Sequence, residues 1–557
     1  MDLSLIILIV SWIFVLIWVP FIIFSNRKLH PRALFILFFA EMWERFSYYG
    51  MRTLLTLYMV QELFAHLSRG EADSMALGIY GSYTAMVYLF PVVGGIFADK
   101  ILGFRKAILF GGILMMAGHF ALSLQGMYLP DSMNLFFLSL AFIIIGNGFF
   151  KPNISSLLGN YYGANDSRKD GAFTIFYMGV NIGALLSIVT CGYVGEQISW
   201  HYGFGLAGVG MLIGLLVFWL AGDKYLGKKG KNPSAMEEFP EVDEAADRKL
   251  LEGTQADRDA AMNIEATNFT DMTTPTLKRK QWMTYIGTLL FIPVCSLFLN
   301  LSDVVTWILI GLSVGILGVL FMMSTKEDKV GGQRLWVVIV LFLFHSMFWA
   351  LFEQAGGSIT LFTARNVDRL VMGSEIPASI FQFFNAFFIM LLAPVFSWIW
   401  IRLRNKGNEP STPMKFVLGL SQLAVGFGVI VLGAKFFASS EGLVPIIFLV
   451  VMYLFHTTGE LSLSPVGLSM ITKLSPKKAV GFVMGAWFLS IALANKMGGL
   501  IGELTAAESL GEDASALDTL VVYSDTYLIW GVAVVGVAAV LLLLLVPTLK
   551  KWMNGIH

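Results

Sequence analysis

Cysteine is nearly absent from this chain. Its two residues, Cys191 and Cys295, each lie inside an apolar stretch, so neither a disulfide framework nor a thiolate metal site is indicated. Charge is scarce as well. Asp, Glu, Lys and Arg make up 14% of the 557 residues, and 38 basic side chains balance 38 acidic ones. With no basic excess to grip phosphate, the composition argues against a nucleic-acid binder. The chain also lacks GxxxxGK[ST] and HExxH, the usual signatures of an ATP-driven pump and a zinc protease. No cofactor or metal is expected. What it has in plenty is hydrophobicity: 56% of residues are hydrophobic and the mean hydropathy is +0.72. Soluble domains do not have that composition, and the chain reads as an integral membrane protein rather than an enzyme.

A helix needs about 20 mostly apolar residues to cross a hydrocarbon core of about 30 Å. Fifteen such runs lie between residues 3 and 548. The first has no Lys or Arg before it and is followed by Asn26-Arg27-Lys28, so it is expected to be a retained helix with its N-terminus outside. Basic residues then mark alternate loops, among them Arg27 and Lys28; Lys100, Arg105 and Lys106; Lys278, Arg279 and Lys280; Arg402 and Arg404; Lys473, Lys477 and Lys478; and Lys550 and Lys551. By the positive-inside rule these loops and the C-terminus are cytoplasmic. The opposite loops hold few, chiefly Arg69, Arg365, Arg369 and Lys435.

The polar stretch after Asp223 organises the chain. We read 1–30 as an extra N-terminal transmembrane helix, 31–222 as a six-helix bundle, 223–280 as a cytoplasmic linker, 281–325 as an inserted transmembrane hairpin, and 326–557 as a second six-helix bundle. The fold class is thus an all-α membrane protein with the 6+6 layout of a major-facilitator carrier and two additions. The middle of the linker is acidic, with Glu237, Glu238, Glu241, Asp243, Glu244 and Asp247, which suits a solvated connector.

Charges inside a bilayer are expensive and mark functional candidates. The richest set is Glu41-Met-Trp-Glu44-Arg45-Phe-Ser-Tyr48-Tyr49-Gly50-Met-Arg52. Spacings of three and four put Glu41, Arg45, Tyr48, Tyr49 and Arg52 on one helix face. Two cations, a carboxylate and two phenols there suit a charged ligand or a proton.

These residues resemble the first-helix ExxER motif of the proton-dependent oligopeptide transporters, a branch of the major facilitators. Further matches follow in order: Gly94-Gly95-x-x-Ala98-Asp99 to Gly103-x-Arg105-Lys106; Gly148-Phe-Phe-Lys151-Pro152-Asn153; Phe176-Tyr177-Met-Gly-Val-Asn181-x-Gly183; Phe348-Trp349-Ala-Leu-Phe-Glu353-Gln354; Phe381-Gln382-Phe-Phe-Asn385; Gly459-Glu460-Leu-x-x-Ser464-Pro465; and Trp487-Phe488-Leu489. The resemblance covers about residues 33 to 548.

The resemblance implies inward transport of di- and tripeptides with protons across a plasma membrane, in a bacterium the inner one, by a carrier that works as a monomer embedded in lipid. A short peptide is a zwitterion and needs separated cationic and anionic partners. By resemblance Arg45, Arg52 and Lys151 receive the peptide carboxylate, while Glu460, with Asn181 and Asn385, holds the amino terminus. Tyr48, Tyr49, Tyr88 and Trp487 are implied as walls of side-chain pockets. Glu41, Glu44, Arg45, Glu353 and Glu460 are implied in proton coupling, and Arg52 with Glu353 and Lys151 with Glu460 in gating. The histidine that some animal members use on the second family helix is replaced by Gly81, so coupling of that kind is not expected. His345 and His456 read more simply as packed helix histidines. Ala386 and Ile491 stand where relatives often carry proline and serine, which leaves side-chain preference open. Two other readings stand beside peptide symport: a carrier of another small solute, such as an amino acid or nitrate, on the same fold, and a membrane sensor or scaffold.

Overall fold

The computed structural model describes residues 2–163, 166, 168–234, 274–476, 478–506 and 515–556, with the side chains of 464–469 left aside. The acidic middle of the linker and Lys477 lie outside the described residues. Each long apolar run forms a helix, because no backbone amide can stay unpaired in hydrocarbon. In the first half these are α1 (Leu3–Asn26), α2 (Arg32–Tyr58), α3 (Arg69–Phe97), α4 (Phe104–Tyr128), α5 (Met133–Gly159), α6 (Lys169–Gln197) and α7 (Trp200–Tyr225). Beyond the linker follow α8 (Pro275–Asn300), α9 (Ser302–Lys326), α10 (Lys329–Phe352), α11 (Ser358–Asn366), α12 (Phe383–Asn405), α13 (Thr412–Phe436), α14 (Ile446–Leu474), α15 (Val480–Glu503), α16 (Ala516–Thr526) and α17 (Val535–Trp552). Fourteen helical spans among the described residues are long and apolar enough to cross a membrane. Helix α2 is not among them, since it carries Glu41, Glu44, Arg45 and Arg52; it is the fifteenth expected span.

One expected span is broken. Residues 335–362 read as one helix, yet α10 ends in a tight turn at Glu353–Gly356, and Gly357 restarts the chain as α11. The break puts Glu353 at a helix end. Two small ladders also form, one pairing Val367 with Val444 and one a hairpin closed over Met372 and Gly373, both at positive φ.

The chain divides into two compact units that do not follow the linear order. The first is Met1–Leu54 with Leu89–Leu297, and the second is Leu55–Tyr88 with Phe298–His557. In the first, α1 buries Val15, Val19 and Ile22, and its Trp12 indole donates to the Thr190 hydroxyl of α6 at 3.0 Å. The extra helix is therefore docked on the bundle. The described start of the linker is fastened too: Arg105 donates to Asp223 at 2.9 Å and to the Gly227 carbonyl at 2.8 Å. Gly103, at φ 80°, approaches the Asn232 carbonyl so closely that a Cβ would lie 2.7 Å from it. Only glycine meets both demands at no cost.

In the second unit the α12–α13 connection is tied by Glu409. Arg404 donates to it at 2.7 Å and 3.2 Å, and Lys415 at 2.6 Å. Hydrogen bonds from Arg404, and then from Lys415, hold its carboxyl down at about 2. A carboxylate whose pKa is lower in the folded state stabilises the fold above the ordinary glutamate range and loses that contribution as pH falls. Glu409→Gln should therefore lower the melting temperature at neutral pH, and the gap from wild type should close as pH falls from 4.5 through about 2. A gap that stays constant with pH would refute the assignment.

Gly81 in α3 faces Gly499 in α15, where a Cβ on Gly81 would lie 2.7 Å from the Gly499 Cα. Backbone thus occupies the space that a histidine would need, which is the physical reason for the departure seen in the sequence. Gly81→Ala is expected to cost about 1–3 kcal/mol by overpacking, read as a lower unfolding midpoint of the purified protein in detergent.

Candidate functional site: buried charge clusters in each unit

In the first unit, the ExxER residues fall on one side of α2 and neutralise each other. Arg45 Nη2 donates to Glu44 Oε1 at 2.7 Å, its Nε bonds Glu44 Oε2, and the same Nε lies 3.2 Å from Glu41 Oε1. Exposure of these three side chains is 6% or less. Asn147, on α5, adds a bond from Nδ2 to Glu44 Oε1 at 3.0 Å. Lys151, one helical turn further along α5, lies within electrostatic reach of Glu41. The Arg45 guanidinium sits 5.4 Å from the Tyr48 ring centre and that of Arg52 5.9 Å from the Tyr49 ring centre. The two phenol rings meet edge to face at 5.2 Å. An aromatic face attracts a cation through its quadrupole, so the rings also hold the guanidinium groups in place. Asn181, on α6, turns its amide to its own helix, donating to the Tyr177 carbonyl at 3.0 Å.

In the second unit, Glu460 of α14 is 8% exposed and accepts from Asn385 Nδ2 of α12 at 3.0 Å. The same Asn385 amide reaches the Thr457 hydroxyl at 3.2 Å. Glu353 is within electrostatic reach of Glu460. Tyr88 is half-buried on α3. Trp487, implied as a pocket wall, is 2% exposed, with its ring 4.1 Å from His345. It is packed in the core of its unit. His345 is also fully engaged: the Trp349 indole donates to Nε2 at 2.9 Å, and Nδ1 lies 2.7 Å from the Ser490 hydroxyl, which donates to the Trp487 carbonyl at 2.6 Å. That network sets the tautomer with the proton on Nδ1. His456 packs 4.7 Å from Phe427. Both histidines are packed among neighbouring aromatic rings.

Three charged or polar groups escaped the sequence reading. Asn147 stands four residues before Lys151, so the spacing that flagged the α2 face would have flagged it too. Lys496 lies within the apolar run of α15, 1% exposed, and donates to Ser302 at 2.6 Å and to Ser82 at 2.9 Å. A charge in the middle of a span was a sufficient signal. Asp73, 2% exposed, receives both guanidinium nitrogens of Arg365, one at 2.7 Å; Arg365 thus ends a buried pair at the foot of α11. Its partner is remote in sequence, and no pattern announces it.

Membrane-crossing helices that bury charge of both signs in each unit define a transporter. The chain belongs to the POT family: that family's model matches residues 105–516. The ExxER cluster precedes the matched stretch, but relatives extend over it. The peptide transporter YePEPT of Yersinia enterocolitica subsp. palearctica is 35% identical over 538 residues, covering 94% of this chain and 96% of that protein. Dipeptide and tripeptide permease B of Yersinia enterocolitica serotype O:8 is 31% identical, with 94% and 96% covered. Among solved structures, a variant of the peptide transporter POT in complex with alafosfalin is 32% identical, covers 94% of this chain and 96% of that one, and superposes with a TM-score of 0.73. A POT family transporter in complex with 5-aminolevulinic acid is 29% identical, covers 93% and 97%, and gives 0.71. The protein is a multi-pass membrane protein of major-facilitator type, and its family consists of transporters rather than enzymes.

Breaking a buried ion pair by removing one partner costs about 3–5 kcal/mol, because an uncompensated charge is left behind. Arg45→Met leaves Glu41 and Glu44 facing each other, so a loss of that size is expected in thermal unfolding. Arg45→Met with Glu41→Gln and Glu44→Gln should recover much of it.

Proposed function

We propose that the protein is a proton-coupled symporter that imports di- and tripeptides across the plasma membrane by alternating access. The observation that carries the reading is where the candidate ligand-binding charges stand. Arg45, Arg52 and Lys151 are gathered in one unit, and a buried carboxylate, Glu460, is held by neutral donors from Asn385 in the other. A zwitterion needs both ends. A simple anion has no use for an amine-binding carboxylate, so peptides fit better than nitrate. Relatives named as peptide transporters and as a dipeptide and tripeptide permease, together with a related structure holding a thioalcohol-conjugated peptide, support the cargo class.

In this reading Arg45, Arg52 and Lys151 bind the peptide carboxylate, and Glu460, Asn181 and Asn385 its amine. Tyr48, Tyr49, Tyr88 and Trp487 are aromatic walls; Trp487 reaches cargo only if its ring leaves His345. Glu41, Glu44, Arg45, Glu353 and Glu460 take part in proton exchange. A carboxylate that trades a cationic partner for an apolar wall gains a proton, and the reverse trade releases it. Arg52, Glu353, Lys151 and Glu460 gate the path, since a charge pair formed in only one state stabilises that state. The division into an extra helix, two six-helix bundles, a linker and an inserted hairpin, the N-terminus outside and C-terminus inside, and function as a monomer complete the proposal.

The test is uptake of labelled Ala-Ala into proteoliposomes with an inward proton gradient, with and without a protonophore. Gradient-dependent uptake that unlabelled dipeptide inhibits, and that Glu460→Ala lacks, is the expected result. Glu44→Gln should lose accumulation against a gradient while retaining exchange. No uptake by folded protein would move the cargo to another small solute.

A further inference from the structure

We propose that the first unit holds an anionic phospholipid of the cytoplasmic leaflet in a groove between α3, α5 and the inserted helix α8. The groove is a cavity of about 850 Å³, separate from every residue proposed above to touch cargo. Its walls are apolar: Phe90, Val93 and Phe97 of α3, Phe149 of α5, and Met283 and Phe291 of α8. Val93 and Met283, 43% and 62% exposed, form its open edge. Gly287 lines it too, and no atom stands within 4 Å of where its Cβ would be. An acyl chain fits such a trough.

Charge and length select the lipid. Only two lining residues are charged, Lys100 and Lys280, and both are exposed at the same end. Both belong to loops that the positive-inside rule puts in the cytoplasm, beside the exposed Lys278 and Arg279. Basic pockets between membrane helices on that side bind anionic headgroups. The nearest carboxylate in sequence, Asp99, accepts a hydrogen bond from Ser234 at 2.6 Å. From Lys100 to Phe90, or from Lys280 to Phe291, a helix rises about 15 Å. That is about half of a 30 Å hydrocarbon core, the depth of one leaflet.

The mouth is also built to keep its shape. Gln281, 6% exposed, donates to the Ile101 carbonyl at 2.9 Å and accepts from Lys106 at 3.1 Å, which pins α8 to the α3–α4 connection. Tyr285 packs against Phe110 at 4.8 Å with the rings tilted by 52°, and meets Trp282 edge to face at 6.0 Å; Trp282 is 66% exposed. An exposed Trp beside lysines at a helix end matches the headgroup level of a bilayer. The inserted hairpin thereby acquires a role: α8 closes one side of a lipid site that the six-helix bundle alone would leave open.

The experiment uses full-length protein purified in detergent and stripped of lipid. It is titrated with dioleoyl-phosphatidylglycerol, dioleoyl-phosphatidylcholine or inorganic phosphate, with bound molecules counted by native mass spectrometry and the unfolding midpoint followed in parallel. Saturable binding of one phosphatidylglycerol is expected, with phosphatidylcholine weaker by about tenfold or more and free phosphate without effect. The double variant Lys100→Gln with Lys280→Gln should bring phosphatidylglycerol down to the phosphatidylcholine level. Gly287→Trp should remove the site for both lipids, and Thr288→Phe serves if that variant fails to fold. Equal binding of the two lipids, a headgroup preference unchanged by the lysine substitutions, or full occupancy after the groove is filled would each overturn the proposal. None of these readouts depends on transport, so failure here leaves the peptide-symport reading intact.

Discussion

The cost of charge in hydrocarbon is the constraint on which the rest of this structure depends. Glu41, Glu44 and Arg45 are present on α2 only because they compensate one another within a single helical turn and because Asn147 supplies one more donor from α5. The same rule explains Lys496, seated on two hydroxyls, and Asp73, met by both arms of Arg365. The bonds of Asn147 to Glu44, of Lys496 to Ser82 and Ser302, and of Arg365 to Asp73 each join helices that apolar packing alone would not distinguish. In lipid the hydrophobic effect does little to join one helix to another, and polar contacts and close backbone approach carry more of the specificity.

Close approach does its share at Gly81 and Gly499. With backbone against backbone, no side chain fits, so a histidine-based device on that helix is sterically closed to this chain. In the proposed mechanism proton handling therefore falls to carboxylates, and these stand on α2, on α14 and at the broken end of α10. The break after Phe352 matters here, because it lifts Glu353 out of a regular helix and gives its carboxylate a position that an unbroken helix would not.

The N-terminal helix, the described start of the linker and α8 are each fastened to their surroundings. Helix α1 is docked through Trp12, and the described start of the linker is fastened by Arg105 and Lys231 to the end of α7. Helix α8 forms one wall of a groove with a basic mouth.

Much of this was legible beforehand. The spans follow from apolar run length alone, and the motif residues from their charge within those runs, since both signals are local. Of the three residues that the resemblance assigns to the peptide amine, Asn385 and Glu460 are hydrogen-bonded to each other, whereas Asn181 bonds its own helix. Lys496 was equally legible and was passed over. What no local pattern holds is which apolar face meets protein and which meets lipid. In water a helix declares its inner side by contrast with its polar side; in a bilayer both sides are apolar, and that contrast vanishes. The sequence by itself determined the long apolar helices, most of the charges buried among them and the family. Only the tertiary structure decided that Trp487 packs against His345, that Gly81 lies on Gly499, that Asp73 meets Arg365, and that a groove opens between α3 and α8. Each of these joins residues far apart in the chain through surfaces that read alike in sequence.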